Sequence, residues 1–143
     1  GVGPEHGYPA DETLAAIAAK TLKEVKYHLA HATDWTLRLG DGTEESNRRM
    51  QKAVNDLWMF TGELFEADGV DAVLAEKGIA ADLQSIKPKW YNHVNKVLDD
   101  ATLLVPTDGY MQTGSRQGVH TEHLGHILSE MQYLQRAYPD AKW

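Results

Sequence analysis

From Glu12 to Leu39 the chain runs without a proline or a glycine. Within that stretch Leu14, Ile17, Thr21, Val25, Ala32, Trp35 and Leu39 recur at steps of three and four, or multiples of them. At 100° per residue these positions fall on one face of a helix. Asp11 stands at the N-cap position, with Glu12 placed to meet the positive end of the helix dipole. Gly40 and Gly42 are the stop signals. A helix of this length with a single apolar stripe cannot fold on itself. It needs other helices, which points to a bundle.

The rest of the chain supplies them. Thr43 with Glu44 and Glu45 opens a second helix, predicted to run to residue 67. Its stripe is Met50, Val54, Leu57, Trp58, Thr61, Leu64 and Phe65, and Asp68-Gly69 ends it. A short helix is expected from Val70 to Lys77, closed by Gly78. Ser85 is read as the cap of the next helix, with Pro88 in its first turn, where proline is tolerated. Ile86, Trp90, Val94, Val97, Leu98 and Ala101 line one side of it. The pattern breaks between Thr102 and Val119, which holds Pro106, Gly109, Gly114 and Gly118. Thr121 is expected to cap a last helix with Leu124, Ile127, Leu128, Met131, Leu134 and Tyr138 as its stripe. No segment alternates with period two for long enough to make a strand. The predicted fold is all-α. Residues 1–10, with three Gly and two Pro, are expected to be a flexible tail or the remnant of a loop.

Several functions are disfavoured at once. The net charge is −7 and the pI about 5.4, against nucleic acid or an anionic membrane as partner. There is no cysteine, so disulfides, thiolate chemistry and Cys-ligated zinc are excluded. The longest aliphatic run, Leu103-Leu104-Val105, is far too short to span a bilayer, and the first residues carry no apolar signal region. A cytoplasmic protein is expected.

Two stretches carry metal-capable side chains. In HTEHLGHILSEM, His120, His123 and His126 step round the helix by about 60° each, so one ion cannot take all three. The positive helix N-terminus also disfavours a cation there. The preceding Gly114-Ser115-Arg116-Gln117-Gly118 makes Ser115 and Arg116 a candidate anion contact. The second stretch is KEVKYHLAH. His28 falls within the apolar stripe of the first helix, and Glu24 and His31 lie one turn to either side on the same edge. Di-iron bundles use an inward Glu followed by His at i+3 from each of two helices. Here the residue three after Glu24 is Tyr27, and the histidine arrives one position late, at His28. The pattern favours a buried Glu24–His28–His31 polar network over a metal site, with no metal and no cofactor in this chain. Trp35, Trp58 and Trp90 sit on helical stripes and are expected in the core. Asp99-Asp100 and Glu44-Glu45 are expected to be solvated helix ends. No carboxylate pair has a partner suited to acid–base work.

The stretches LAAIAAKTLKEVKYHL, RLGDGTEESNRRMQKAVNDLWMFTGELFEAD and GVHTEHLGHILSEMQYLQRAYP, with the final Trp143, resemble the C-terminal part of the PaaC family. These are the structural subunits of bacterial ring-1,2-phenylacetyl-CoA epoxidases. The resemblance runs in order from about Leu14 to Trp143. It implies a ferritin-like helical bundle of which this chain is the C-terminal helices. It also implies a role in aerobic phenylacetate degradation beside a homologous catalytic subunit that holds the di-iron centre. In that family Glu and His three apart form the ligand pair. This chain matches the Glu at Glu24 and has Tyr27 at the His position, which agrees with a subunit that has lost its metal. No catalytic residue is carried over. The family chain is much longer at its N-terminal end, so this one is expected to be a fragment. It should then self-associate or hold its own N-terminal half as a partner. The competing expectation is a ferritin-like di-metal oxidoreductase with its own site built on Glu24 and His28.

Overall fold

The computed structural model describes residues 11–107 and 109–142. The expected tail at residues 1–10 lies outside them. Among the described residues the regular structure is entirely helical, as expected, and consistent with a ferritin-like helical bundle. The chain divides into two compact units, one ending at Gln112 and one beginning at Thr113.

In the first unit, α1 spans Glu12–Gly40, α2 Glu44–Leu57, α3 Gly69–Glu76 and α4 Leu83–Asp100. Asp11 caps α1, its Oδ1 accepting from the Leu14 N–H at 2.9 Å. Thr43 and Ser46 close a reciprocal capping box on α2. Asp68 and Asp71 do the same for α3. The buried hydrophobic side chains are Phe65, Leu98, Ala101 and Leu103. Leu37, Met50, Val54, Trp58, Val94 and Val105 pack against the last three of these. This core sits where α1, α2 and α4 meet. Trp90 extends it with rings of Trp58 at 6.0 Å and Phe65 at 5.5 Å.

Three boundaries differ from expectation. The second helix stops at Leu57 rather than at residue 67, and residues 58–65 continue as two 3-10 turns. The returning loop explains this. The Gln112 N–H donates to the Met59 carbonyl at 2.9 Å, and Gly62 lies so close to Met111 that a Cβ there would be 3.1 Å from its Sδ. Tertiary contacts override local helix propensity. Leu57 and Leu64, expected on the stripe, are exposed. Second, the cap of α4 is Asp82, not Ser85. The Asp82 Oδ1 accepts from the Gln84 N–H at 3.0 Å, and the Ser85 hydroxyl donates to the Asp82 carbonyl. Pro88 therefore lies in the second turn.

The third difference is the phase of α1. Its packed side is Thr33, Thr36, Leu37 and Gly40, with Leu29 and Thr33 facing an open slot against His93, Val94 and Val97 of α4. That face is turned by about 100° from the apolar stripe. The stripe itself is uncovered, and Trp35, expected in the core, is 48% exposed. Small side chains explain the choice, because they let helices approach closely. A Cβ on Gly40 would lie 2.4 Å from the Ala101 carbonyl oxygen.

That vertex is locked by polar groups. The Asn47 amide donates to the Gly40 carbonyl at 2.7 Å and reaches Thr102. The Thr102 hydroxyl donates to the same carbonyl at 3.1 Å. Thr102 has φ 57°, the left-handed position after α4. Its N–H bonds to Asp99 and that of Leu103 to Leu98, the pattern of a Schellman cap with threonine in place of glycine. Nearby, the Gln51 amide clamps the Leu104 backbone, donating to its carbonyl at 3.0 Å and accepting from its N–H at 2.7 Å.

In the second unit a 3-10 turn at Ser115–Gln117 precedes α5, Glu122–Ala137. Thr121 occupies the N-cap as expected, but its side chain makes no capping hydrogen bond.

Candidate functional site

The candidate residues of α1 lie on its middle turns. Each residue from 19 to 32 is exposed, so no other described element of the chain covers this part of the helix. Glu24, Tyr27, His28 and His31 are therefore at the surface, and the buried polar network expected for Glu24, His28 and His31 is not formed. Among the described residues no hydrogen bond or ion pair joins Glu24 to either histidine. The reason is the phase of α1: the face that holds them is not the one facing α2 and α4. What the sequence does bring together is a ladder of rings. Tyr27 stacks with His31 at 6.1 Å, and His31 meets Trp35 edge-on at 6.4 Å. The Arg38 guanidinium lies 5.7 Å from the Trp35 ring.

One carboxylate and two imidazoles on a single exposed helix do not assemble a di-metal ligand set. Among the described residues no three His, Asp or Glu side chains converge to hold an ion. His120, and His123 and His126 of α5, are likewise exposed. Ser115 and Arg116 lie in the 3-10 turn between Gly114, φ 94°, and Gly118, φ 84°. This turn is closed by its own backbone, the Gly114 carbonyl accepting from Gln117 and Val119 N–H groups at 2.9 Å each. Both Ser115 and Arg116 are engaged with other groups of the chain.

Charge elsewhere is spent in local pairs. Glu45 binds Arg48 and Arg49, Lys52 binds Asp56, and Lys96 binds Asp100 at 2.6 Å. The Asp100 hydrogen bond, followed by its charge, holds the Lys96 pKa above 10.5. The residues that sequence reasoning missed are structural: Asn47, Gln51 and Thr102. Polar side chains in contact across more than fifty positions leave no local signal.

Helical bundle geometry, a capped long first helix and a Glu–x–x–Tyr where a ligand pair would stand define the class. The chain belongs to the phenylacetic acid catabolic protein family, which matches residues 9–143. It is 49% identical over 133 residues to a subunit of the 1,2-phenylacetyl-CoA epoxidase of Escherichia coli (strain K12). That alignment takes in 93% of this chain and 54% of the relative, so the chain spans about half the length of the curated protein it matches.

Proposed function

We propose that this chain acts as part of a non-catalytic structural subunit of a di-iron monooxygenase complex that epoxidises the ring of phenylacetyl-CoA. The observation that carries the proposal is the 49% identity to an epoxidase subunit over 93% of the chain. Tyr27 supports it, because a phenol stands at i+3 from Glu24 where a ligand imidazole is needed. In this reading the complex is cytoplasmic, and a homologous catalytic subunit supplies the di-iron centre and binds the CoA thioester. This chain supplies surface and rigidity. The vertex of Gly40, Asn47 and Thr102 fixes α1 against α4, and the exposed faces are left for neighbours. Ser115 and Arg116 fit a secondary contact to a CoA phosphate, through a cation at a tight turn.

The test is reconstitution with the catalytic subunit. The protein alone should not turn over phenylacetyl-CoA, and should co-elute with the catalytic subunit and raise its activity. Glu24→Gln and His28→Gln should leave that stimulation unchanged. Turnover by the protein alone, abolished by Glu24→Gln, would instead establish an oxidoreductase with its own site at Glu24 and His28.

A further inference from the structure

The apolar stripe of α1 is uncovered along its whole length. Leu14 is 44% exposed, Ile17 53%, Val25 56%, Trp35 48% and Leu39 38%. From Leu14 to Leu39 it is about 37 Å long at 1.5 Å per residue. Its average repeat stays close to 3.6, so the seam runs straight along the helix and needs no supercoil to stay in register. Patches of a few hundred Å² or more mark association sites.

The order of side chains along the seam suggests what covers it. Reversed about a point between residues 26 and 27, the seam matches itself by size. Leu14 falls opposite Leu39, and Ile17 opposite Trp35. The small Thr21 falls opposite the small Ala32, and Val25 opposite His28. Lys20 and Asp34 flank the same edge of the seam. In an antiparallel pair related by a twofold axis, like edges meet. Lys20 of each copy then approaches Asp34 of the other, twice by symmetry. In a parallel pair, unlike edges meet, the Lys20–Asp34 contacts are lost and His28 stacks on His28.

We propose that α1 is a homodimerisation helix, pairing antiparallel with α1 of a second copy of this chain through the stripe from Leu14 to Leu39. The proposal does not depend on the enzyme complex, so it can fail without touching the functional reading.

The absence of native cysteine makes the test clean. In light scattering the chain should run at twice its 15.9 kDa mass, and Ile17→Asp should return it to the monomer. Circular dichroism confirms that the variant stays helical. Register is read with a short thiol-reactive cross-linker. Val25→Cys lies beside the axis and should link to a covalent dimer. Leu14→Cys stands about 37 Å from its own copy and should not, whereas Leu14→Cys mixed with Leu39→Cys should. A monomer at all concentrations overturns the proposal. So does efficient linking of Leu14→Cys alone, which marks a parallel pair, or a dimer that Ile17→Asp leaves intact. A co-purifying peptide that occupies the stripe in a monomer also overturns it, by naming another occupant.

Discussion

Gly40→Ala is the sharpest probe of the vertex that holds α1, α2 and α4 together. The added Cβ would sit 2.4 Å from the Ala101 carbonyl oxygen, 2.8 Å from its Cβ and 3.2 Å from its carbonyl carbon. Backbone atoms cannot swing aside like a flexible side chain, so α1 and α4 must separate by roughly 1 Å to restore ordinary contact. Overpacking of this kind costs about 1–3 kcal/mol. Separation also stretches the Asn47 and Thr102 bonds to the Gly40 carbonyl, at about 0.5–1.5 kcal/mol each. The gain in helix propensity from glycine to alanine, at most about 1 kcal/mol, offsets part of this. The net expectation is a loss of about 2–4 kcal/mol. Urea unfolding at fixed protein concentration, followed by the fluorescence of Trp58 and Trp90 near this core, measures it. Gly69→Ala is the control, because nothing lies within 4 Å of its new Cβ. If Gly40→Ala unfolds at the same urea concentration as the wild type, α1 and α4 do not approach as closely as described.

Other outcomes follow from single features. Gly125→Ala, in α5 with open space around its Cβ, should raise the helical content or melting temperature, by up to about 1 kcal/mol; a destabilised variant would mean that this helix face is covered. Thr102→Val keeps the strained left-handed backbone and loses the hydroxyl on Gly40, and should cost about 1–3 kcal/mol in the same urea assay. Thr102→Gly relieves the strain and should fall much closer to wild type. Amide exchange should be fast in residues 19–32 of α1 and slow in Val94–Leu98 when the dimer is broken by Ile17→Asp, since an uncovered helix of this length is marginal in water. Lys96 should titrate above 10.5 because Asp100 stabilises its charged form. The sign is that of a raised lysine: the contribution to stability is present below the unfolded value and disappears as pH rises through the folded one. Asp100→Asn should bring the Lys96 titration, read by NMR, back down.

The helices and most of their starts were legible because their signals are local. Asp11 and Thr43 cap as their sequence neighbours suggest, and Gly78 ends α3 with φ 67°. The end of α2 was not legible, since Met111 and Gln112 set it from about fifty residues away. Nor was the orientation of α1. Hydrophobicity points to the side of Leu14, Val25 and Trp35, while the chain packs it through Thr33, Thr36 and Gly40, which are chosen for size rather than apolarity. The same error of phase moved Glu24, His28 and His31 from an expected interior to the surface. The spacing of Glu24 and Tyr27 could be read without any structure, because it is a property of the sequence alone.

Iron content tests the account most directly. The purified protein is loaded anaerobically with ferrous iron, desalted and submitted to elemental analysis, beside Glu24→Gln treated in the same way. A structural subunit should retain only trace iron, equal in both samples. A tightly held pair of irons in each wild-type chain, lost in Glu24→Gln, would contradict it and make this chain a metalloenzyme in its own right.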